Sequence, residues 1–247
     1  MSSWQALSEE INLWQRSVQF WWRDDDAIAD SKALQQMLQL AKSYQIAVHL
    51  AVIPNLLESS LYVIQHPDNL PFCYVLQHGV EHRNFAVAQQ RKIELGGSQD
   101  LVALQQKLSD GQHLLQQTFV DQYLSILVPP WNRIAAELIP TLDNIGYKKL
   151  SVLGKTKLAE TELHLNVHID IINWRERQFA GETLILSKIT EHLRHQRLSG
   201  NYAKPCGLMT HHLDHDADCW LFLDKFFSFC SSHSKVQWVA GSRLYHF

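Results

Sequence analysis

The sequence contains no paired cysteines, and this absence excludes several kinds of site. Its four cysteines, at positions 73, 206, 219 and 230, lie far apart, and no CxxC motif occurs. Zinc knuckles and dithiol redox sites are built from such pairs. We therefore expect all four cysteines to be reduced and to pack as small apolar side chains.

Long apolar runs and strong positive charge are also missing. No apolar stretch approaches the roughly 18 residues that a membrane helix needs, and the first residues do not show the basic and apolar regions of an export signal. The formal net charge is −3, and no run of Lys or Arg could follow a phosphate backbone. We expect a cytoplasmic protein without membrane insertion or a nucleic-acid partner, of undetermined oligomeric state.

Glycine-rich nucleotide motifs are missing as well, because neither GxGxxG nor GxxxxGK[ST] follows an early strand. Short apolar runs predict buried strands at residues 18–22, 46–53, 72–76, 123–128, 149–153, 164–172, 206–210 and 236–240. Helical spacing occurs between them at residues 31–45, 99–118, 133–145, 182–198 and 216–231. This alternation predicts an α/β protein: one domain over residues 1–247, folded as a deformed (β/α) barrel with about seven parallel strands.

Histidine is abundant, with fourteen copies, and several lie near carboxylates at the ends of predicted strands. In (β/α) barrels the functional side chains lie at the carboxyl ends of strands. The first such motif is Arg23-Asp24-Asp25-Asp26, where three adjacent carboxylates repel one another unless a cation offsets the repulsion. It indicates a metal ligand beside a general base. The alternative is that one Asp caps the next helix and the others are solvated.

The second motif, His78-Gly79-Val80-Glu81-His82, follows the third predicted strand. Two histidines four residues apart lie on one face of a helical turn, so both imidazoles can reach one cation. The motif is short, and a purely structural role for both histidines is the alternative.

Three further motifs follow later strands. The fourth predicted strand is followed by Pro130, Trp131, Asn132 and Arg133, which combine a stiff turn with a stacking ring and fixed donors, as a sugar or amide site requires. Alternatively, this is a rigid turn whose Trp packs in the core.

The other two motifs contain an aspartate and a pair of histidines. Asp170 and Trp174 lie on and after a late strand, where the carboxylate either orients a catalytic histidine or is an ordinary rim residue. His211 and His212 follow the seventh predicted strand, and a histidine there can act as general acid or base. We expect one of the two to be functional.

In this order the five motifs resemble those of the polysaccharide deacetylase family of metal-dependent carbohydrate esterases, and their variations indicate a divergent branch. The resemblance implies that Asp24 is the catalytic base and that Asp25, His78 and His82 bind the metal. Because Asp26 stands where the family has Gly, the register could shift by one residue.

The resemblance also implies roles for the later motifs. His211 corresponds to the general acid, with His212 as a nearby rival. Substrate-binding positions correspond to Pro130, Trp131, Asn132, Arg133 and Trp174, and supporting positions to Arg23, Asp26, Asp170 and His212. Val128 stands where the family has an Arg that contacts the base, so Arg23 or Arg133 would substitute. Gly79 replaces a Ser or Thr, and the hydrogen bond of that residue is lost or supplied by another group.

The function implied by the resemblance is a hydrolase with one divalent metal ion, Zn²⁺ or else Co²⁺ or Ni²⁺. Its substrate would be a small molecule or oligosaccharide with an N-acetyl or amide group, and it would remove acetyl from an N-acetylated sugar or glycoconjugate precursor. One alternative is hydrolysis of another small-molecule C–N amide bond, as in allantoinase-like relatives. The other is a non-catalytic relative that binds a sugar or a partner.

Overall fold

The computed structural model describes residues 2–154 and 161–247. The strands are β1 (Val18–Ala27), β2 (Val48–Val52), β3 (Cys73–His78), β4 (Tyr123–Val128), β5 (Lys149–Leu150), β6 (Ile169–Asp170), β7 (Ile172–Asn173), β8 (Gln178–Phe179), β9 (Cys206–Thr210) and β10 (Val236–Trp238). The α-helices are α1 (Ser3–Asn12), α2 (Lys32–Tyr44), α3 (Leu101–Phe119), α4 (Leu142–Ile145), α5 (Glu182–Leu198) and α6 (Ala217–Ser232).

Seven parallel strands form one curled sheet in the order β5-β4-β3-β2-β1-β9-β6, and β10 pairs with the first residues of β1. The two edges of the sheet approach each other, because Leu150 and Leu153 make single bridges to His164 and Val167, just before β6. Strands β7 and β8 form a separate hairpin. The predicted deformed (β/α) barrel is confirmed.

The side chains of β1 alternate between two cores. Trp21 belongs to a buried cluster with Ile126 and Met209, which contains no residue of helices α1 to α6 and fills the barrel. Phe20 and Trp22 belong to the larger cluster between the sheet and the helices. This period of two decides which of the polar side chains at the end of β1 point into the barrel.

Helix caps explain where several helices begin. Ser31 accepts a hydrogen bond from the Leu34 amide at the start of α2, and Asp100 does the same for Ala103 at the start of α3. The helix expected over residues 133–145 is wrong, because only its last four residues form α4. Pro140, which lacks an amide proton, precedes this short helix and prevents a longer one.

Two other expectations need correction. Helix α1 was not predicted, although Ser2 caps it by accepting from the Gln5 amide. The strand expected over residues 164–172 is broken into bridges and the short β6 and β7. The four cysteines are free and buried, as expected. Within the described residues, no helix has both the length and the apolar character to cross a membrane.

The buried His49 on β2 predicts a loss of stability in acid. Its Nδ1–H donates to the Trp22 carbonyl at 2.8 Å, and its Nε2 accepts from the Gly241 amide at 3.2 Å, so the folded protein needs the neutral ring. Burial lowers the pKa of His49 to about 4, from about 6.5 in an unfolded chain. The unfolded state therefore binds more protons, and stability falls as the pH drops from 6.5 towards 4.

We expect His49 to remove about 2 kcal/mol of unfolding free energy between pH 8 and pH 5. Urea unfolding of the wild type and of His49→Gln at the two pH values measures this, and the variant should show the smaller decrease. His66→Gln is the matched control, since the His66 side chain is 63% exposed. Equal pH dependence in all three proteins would contradict the prediction.

Candidate active site

One carboxylate and two imidazoles converge at the carboxyl ends of β1 and β3. The Asp26 Oδ1 atom lies 3.0 Å from His78 Nε2 and 3.3 Å from His82 Nε2. The His78 side chain is buried, whereas those of Asp26 and His82 are partly exposed. The three donor atoms all lie within 4.8 Å of one another, so they can face one ion.

The hydrogen bonding of His78 shows that this group fits a cation. The Nδ1 atom of His78 lies 3.0 Å from the Val128 carbonyl, to which it donates. With Nδ1 donating, Nε2 faces Asp26 Oδ1: when protonated it donates to this carboxylate, and in the neutral ring its lone pair is free to bind a cation that the carboxylate also contacts. One carboxylate and two imidazoles, one of them oriented by a backbone carbonyl, suit a divalent metal such as Zn²⁺.

Asp25, the expected metal ligand, is not part of this group. Arg23 holds its carboxylate with both arms of the guanidinium, since Nε lies 2.8 Å from Oδ1 and Nη2 lies 2.9 Å from Oδ2. The β1 pairing with β2 shifts its register between Asp24 and Ala27, and Asp26 has a φ of +69°. This irregularity breaks the alternation, so Asp25 and Asp26 both reach the mouth of the barrel. The structure therefore places Asp26, rather than Asp25, beside the histidines.

Arg23 points into the barrel and is completely buried. Its Nη1 donates to the carbonyl and the hydroxyl of Ser151, at 3.0 and 2.8 Å, and its Nη2 donates to Asn132 Oδ1 at 3.0 Å. Arg23 thus contacts Asp25, whereas the Arg of the third family motif was expected to contact the base, assigned to Asp24. Arg133, the other candidate for that position, instead donates to the Lys92 carbonyl at 2.7 Å.

Asp24 faces the helical layer and has other partners. It accepts from Thr210 Oγ1 at 2.6 Å, from the His212 amide at 3.0 Å and from His212 Nδ1 at 2.5 Å. Burial alone would raise the pKa of Asp24, but His212 lowers it overall, and Asp24 raises the pKa of His212 against the effect of burial. The two form a buried ion pair. Asp24, the expected base, and His212, the rival acid, therefore do not contact the cluster of Asp26, His78 and His82, which we call the metal-type cluster.

His211 lies at the end of β9, on the other side of Asp25. Its Nε2 is 3.9 Å from Asp25 Oδ2, and its ring meets the edge of Trp174 with a centroid distance of 4.5 Å. The indole of Trp174 donates to Asp170 Oδ2 at 2.7 Å. Burial raises the pKa of Asp170 overall, although the nearby His211 opposes this shift. Trp174 therefore contacts His211 directly, whereas Asp170 binds the indole of Trp174.

The turn after β4 brings an aromatic ring to the cluster. Pro130 is buried, and the Trp131 ring lies against His82 with a centroid distance of 4.6 Å. Asp26, His82, Trp131 and Asn132 all have a φ between +53° and +69°. Such strained backbone persists only where surrounding contacts enforce it, and it is concentrated at functional sites.

Glu94 supports the second motif and was missed by sequence reasoning. It is completely buried, and its carboxylate accepts from the backbone amides of Val80 at 3.2 Å and Glu81 at 2.7 Å. These bonds fix the turn between His78 and His82. Glu94 lies in the 91–100 loop, away from any strand end, so the strand-end rule gave no signal for it.

The Glu94 carboxylate occupies the space that a side chain at position 79 would need, so replacing Gly79 by Ala should disturb it. Gly79 has a φ of +55°, and a Cβ there would lie 1.9 Å from Glu94 Oε2 and 2.6 Å from Pro130. We expect Gly79→Ala to displace the Glu94 carboxylate and to weaken Zn²⁺ binding by about 10- to 100-fold, as changes outside the ligand set do.

The matched control is Gly200→Ala, because Gly200 also has a positive φ, +72°, but a Cβ added there would have no other atom within 4 Å. Competition with a fluorescent chelator measures the Zn²⁺ affinity of both variants. Equal affinities would show that the Glu94 contact does not organise the turn.

Comparisons with known proteins identify the fold. No family model matches the chain, and no curated protein matches it in sequence. A Mycobacterium smegmatis protein assigned to the polysaccharide deacetylases superposes with a TM-score of 0.65 at 15% identity, covering 94% of this chain and 91% of that one. A family 4 acetyl xylan esterase from Clostridium thermocellum, solved with a cobalt ion, gives 0.58 at 12% identity and covers 92% and 90%.

A peptidoglycan deacetylase from Bacillus subtilis gives a TM-score of 0.54 at 14% identity and covers 94% of this chain and 91% of that one. At these identities the similarity shows the fold. The predicted resemblance to the polysaccharide deacetylases is therefore confirmed at the level of the fold.

Proposed function

We propose that the chain is a divalent-metal-dependent hydrolase that removes an acetyl group from an N-acetylated sugar or glycoconjugate precursor. One observation carries the proposal. The Asp26, His78 and His82 cluster lies at the same barrel mouth as Asp25 and His211, whose Oδ2 and Nε2 atoms are 3.9 Å apart. The structural neighbours named as deacetylases and esterases, one of them with a cobalt ion, support this choice of chemistry.

In this proposal Asp26, His78 and His82 hold the metal ion, with Zn²⁺ preferred to Co²⁺ or Ni²⁺. When bound, such an ion supplies Lewis-acid stabilisation of the negative charge that develops on the acyl oxygen and makes water more acidic. The Val128 carbonyl fixes the ring of His78, and Glu94 fixes the turn that carries His82.

Asp25 is the proposed general base and His211 the proposed general acid. Asp25 accepts a proton from water as the water oxygen bonds to the acyl carbon. His211 donates a proton to the nitrogen as the C–N bond breaks, so the products are acetate and a free amine. Arg23 is a positioning residue, because its bidentate contact with Asp25 fixes the orientation of the carboxylate.

Two indole rings lie at the candidate active site, and in this proposal a sugar ring stacks against them. Trp131 lies against His82, and Trp174, which is 44% exposed, lies against His211. Aromatic faces with a polar edge suit the apolar face and the hydroxyl groups of a sugar.

Acetate release from N-acetylglucosamine oligosaccharides and from activated N-acetyl sugars tests the proposal. The Zn²⁺-loaded protein should release acetate, lose this activity with a chelator and recover it with added metal. Consumption of a cyclic amide such as allantoin without acetate release would support hydrolysis of another C–N bond. No turnover of either class by metal-loaded protein would support a non-catalytic binding role and overturn the proposal.

A further inference from the structure

Two arginines line an open cavity beside the candidate active site. The cavity has a volume of about 620 Å³ and lies between the loop after β3 and the turn after β4, with Arg91, Arg133 and Glu137 as its charged lining residues. Binding sites for small ligands typically have volumes of about 300–1,000 Å³. This cavity therefore has room for part of a substrate.

Among the described residues that line this cavity, Glu137 is the one carboxylate, against two arginines. In the part of the chain that the structure describes, the arginines that form ion pairs are Arg23, Arg177, Arg194 and Arg197, and neither Arg91 nor Arg133 is one of them. Partial burial and the neighbouring Arg91 both lower the pKa of Arg133, as expected for two guanidinium groups that repel each other. The chain as a whole is acidic, with a net charge of −3, so this concentration of positive charge runs against its composition.

Direct contacts connect the cavity to the candidate active site. Arg133 Nη1 donates to the Lys92 carbonyl at 2.7 Å, and the Lys92 ammonium lies 5.7 Å from the centre of the Trp131 ring. The same ring lies against His82. The cavity and the metal-type cluster of Asp26, His78 and His82 thus border the same two segments of the chain, the loop after β3 and the turn after β4.

We propose that this cavity binds a phosphate group of the substrate, so that the enzyme acts on a phosphorylated N-acyl sugar rather than on a neutral polysaccharide. The inference rests on the proposed function and specifies its substrate class. Two planar guanidinium groups can each donate two parallel hydrogen bonds to phosphate oxygens. The two lining arginines carry one more positive charge than Glu137 neutralises, and a phosphate ester or diphosphate supplies up to two negative charges.

Ligand binding can be measured without turnover. In metal-loaded Asp25→Asn, calorimetry with N-acetylglucosamine 1-phosphate, with UDP-N-acetylglucosamine and with neutral N-acetylglucosamine compares three ligands that share the acetamide. The test variant adds Arg91→Gln and Arg133→Gln. The matched control adds Arg16→Gln and Arg243→Gln, which remove the same charge from exposed positions outside the loops after β3 and β4.

We expect at least one phosphorylated ligand to bind about 10- to 100-fold more tightly than the neutral sugar, the effect of one or two charge-assisted hydrogen bonds. The Arg91 and Arg133 changes should remove this preference, and the control changes should keep it. Binding of both phosphorylated ligands indicates recognition of the phosphate alone, and binding of only the UDP sugar indicates a nucleotide-linked substrate.

Two results would overturn the inference: equal binding of the phosphorylated and neutral sugars, or a preference that survives loss of both arginines. Either result leaves the proposed hydrolase intact if wild-type protein releases acetate from neutral oligosaccharides. A protein that binds phosphorylated sugars through these arginines but hydrolyses nothing would instead remove the proposed function and keep the phosphate site.

Discussion

Asp25→Asn is expected to keep about one equivalent of divalent metal while kcat falls by about 10²- to 10⁴-fold, the usual contribution of a general base. The amide has the shape of the carboxylate but cannot accept the proton from water. Metal binding should persist because Asp26, rather than Asp25, lies beside His78 and His82. Acetate release and metal content of the same preparation measure the two effects together.

Asp24→Asn is the matched control, because it makes the same isosteric change in the neighbouring carboxylate. Asp24 is completely buried against Thr210 and His212 and faces the helices. Loss of the Asp24 carboxylate should lower the unfolding free energy, while the protein that remains folded should keep most of its activity. A large loss of kcat in folded Asp24→Asn, with little change in Asp25→Asn, would return the role of base to Asp24.

Arg23→Met is expected to lower the unfolding free energy by about 3–5 kcal/mol, the usual cost of removing one partner from a buried ion pair. Met has a similar length but leaves the Asp25 carboxylate without its hydrogen bond from Nη2 and its ion-pair contact with Nε. It also leaves the Ser151 carbonyl and hydroxyl without their donor. Urea unfolding of the metal-free protein measures the change.

The control for this prediction is Arg177→Met. Arg177 pairs with Asp214 at 2.8 Å, but its side chain is 73% exposed, so its loss should cost less than about 1 kcal/mol. Arg23→Lys distinguishes an effect on the orientation of Asp25 from an effect on stability. Lys keeps the positive charge but cannot make a bidentate contact with both carboxylate oxygens. We expect this variant to recover much of the stability but to retain a lowered kcat with little change in KM. Full recovery of kcat would show that the two-armed contact has no positioning role.

The fold was largely predictable because buried parallel strands and amphipathic helices leave strong periodic signals. The boundaries that failed depended on local chemistry or on distant contacts. Pro140 interrupted a segment with helical spacing. The edge of the barrel near His164 and Val167 is held by single bridges, which no sequence pattern indicates.

The candidate site was predictable as a set of motifs but not residue by residue. The sequence contains three adjacent aspartates and cannot reveal which of them face the barrel. The answer comes from the alternation that begins at Trp21 and Trp22 and from the irregularity at Asp26. In the proposed assignment, the base and the carboxylate metal ligand each lie one residue later than the resemblance implied.

Two substitutions relative to the family pattern became interpretable only in three dimensions. Val128 occupies the place of an arginine, and Arg23 on a different strand contacts Asp25, the base in the proposed assignment. Gly79 occupies the place of a hydroxyl residue, because the Glu94 carboxylate takes up the space and supplies hydrogen bonds to the turn. Both depend on contacts between residues far apart in sequence.

The most direct test of the central claim is the metal content, by mass spectrometry, of the wild type and of Asp24→Asn, Asp25→Asn and Asp26→Asn after incubation with Zn²⁺ and dialysis. We predict about one equivalent of Zn²⁺ in the wild type, retention in folded Asp24→Asn and in Asp25→Asn, and loss in Asp26→Asn. Zn²⁺ lost from Asp25→Asn but kept by Asp26→Asn, or no bound metal in the wild type, would contradict the account.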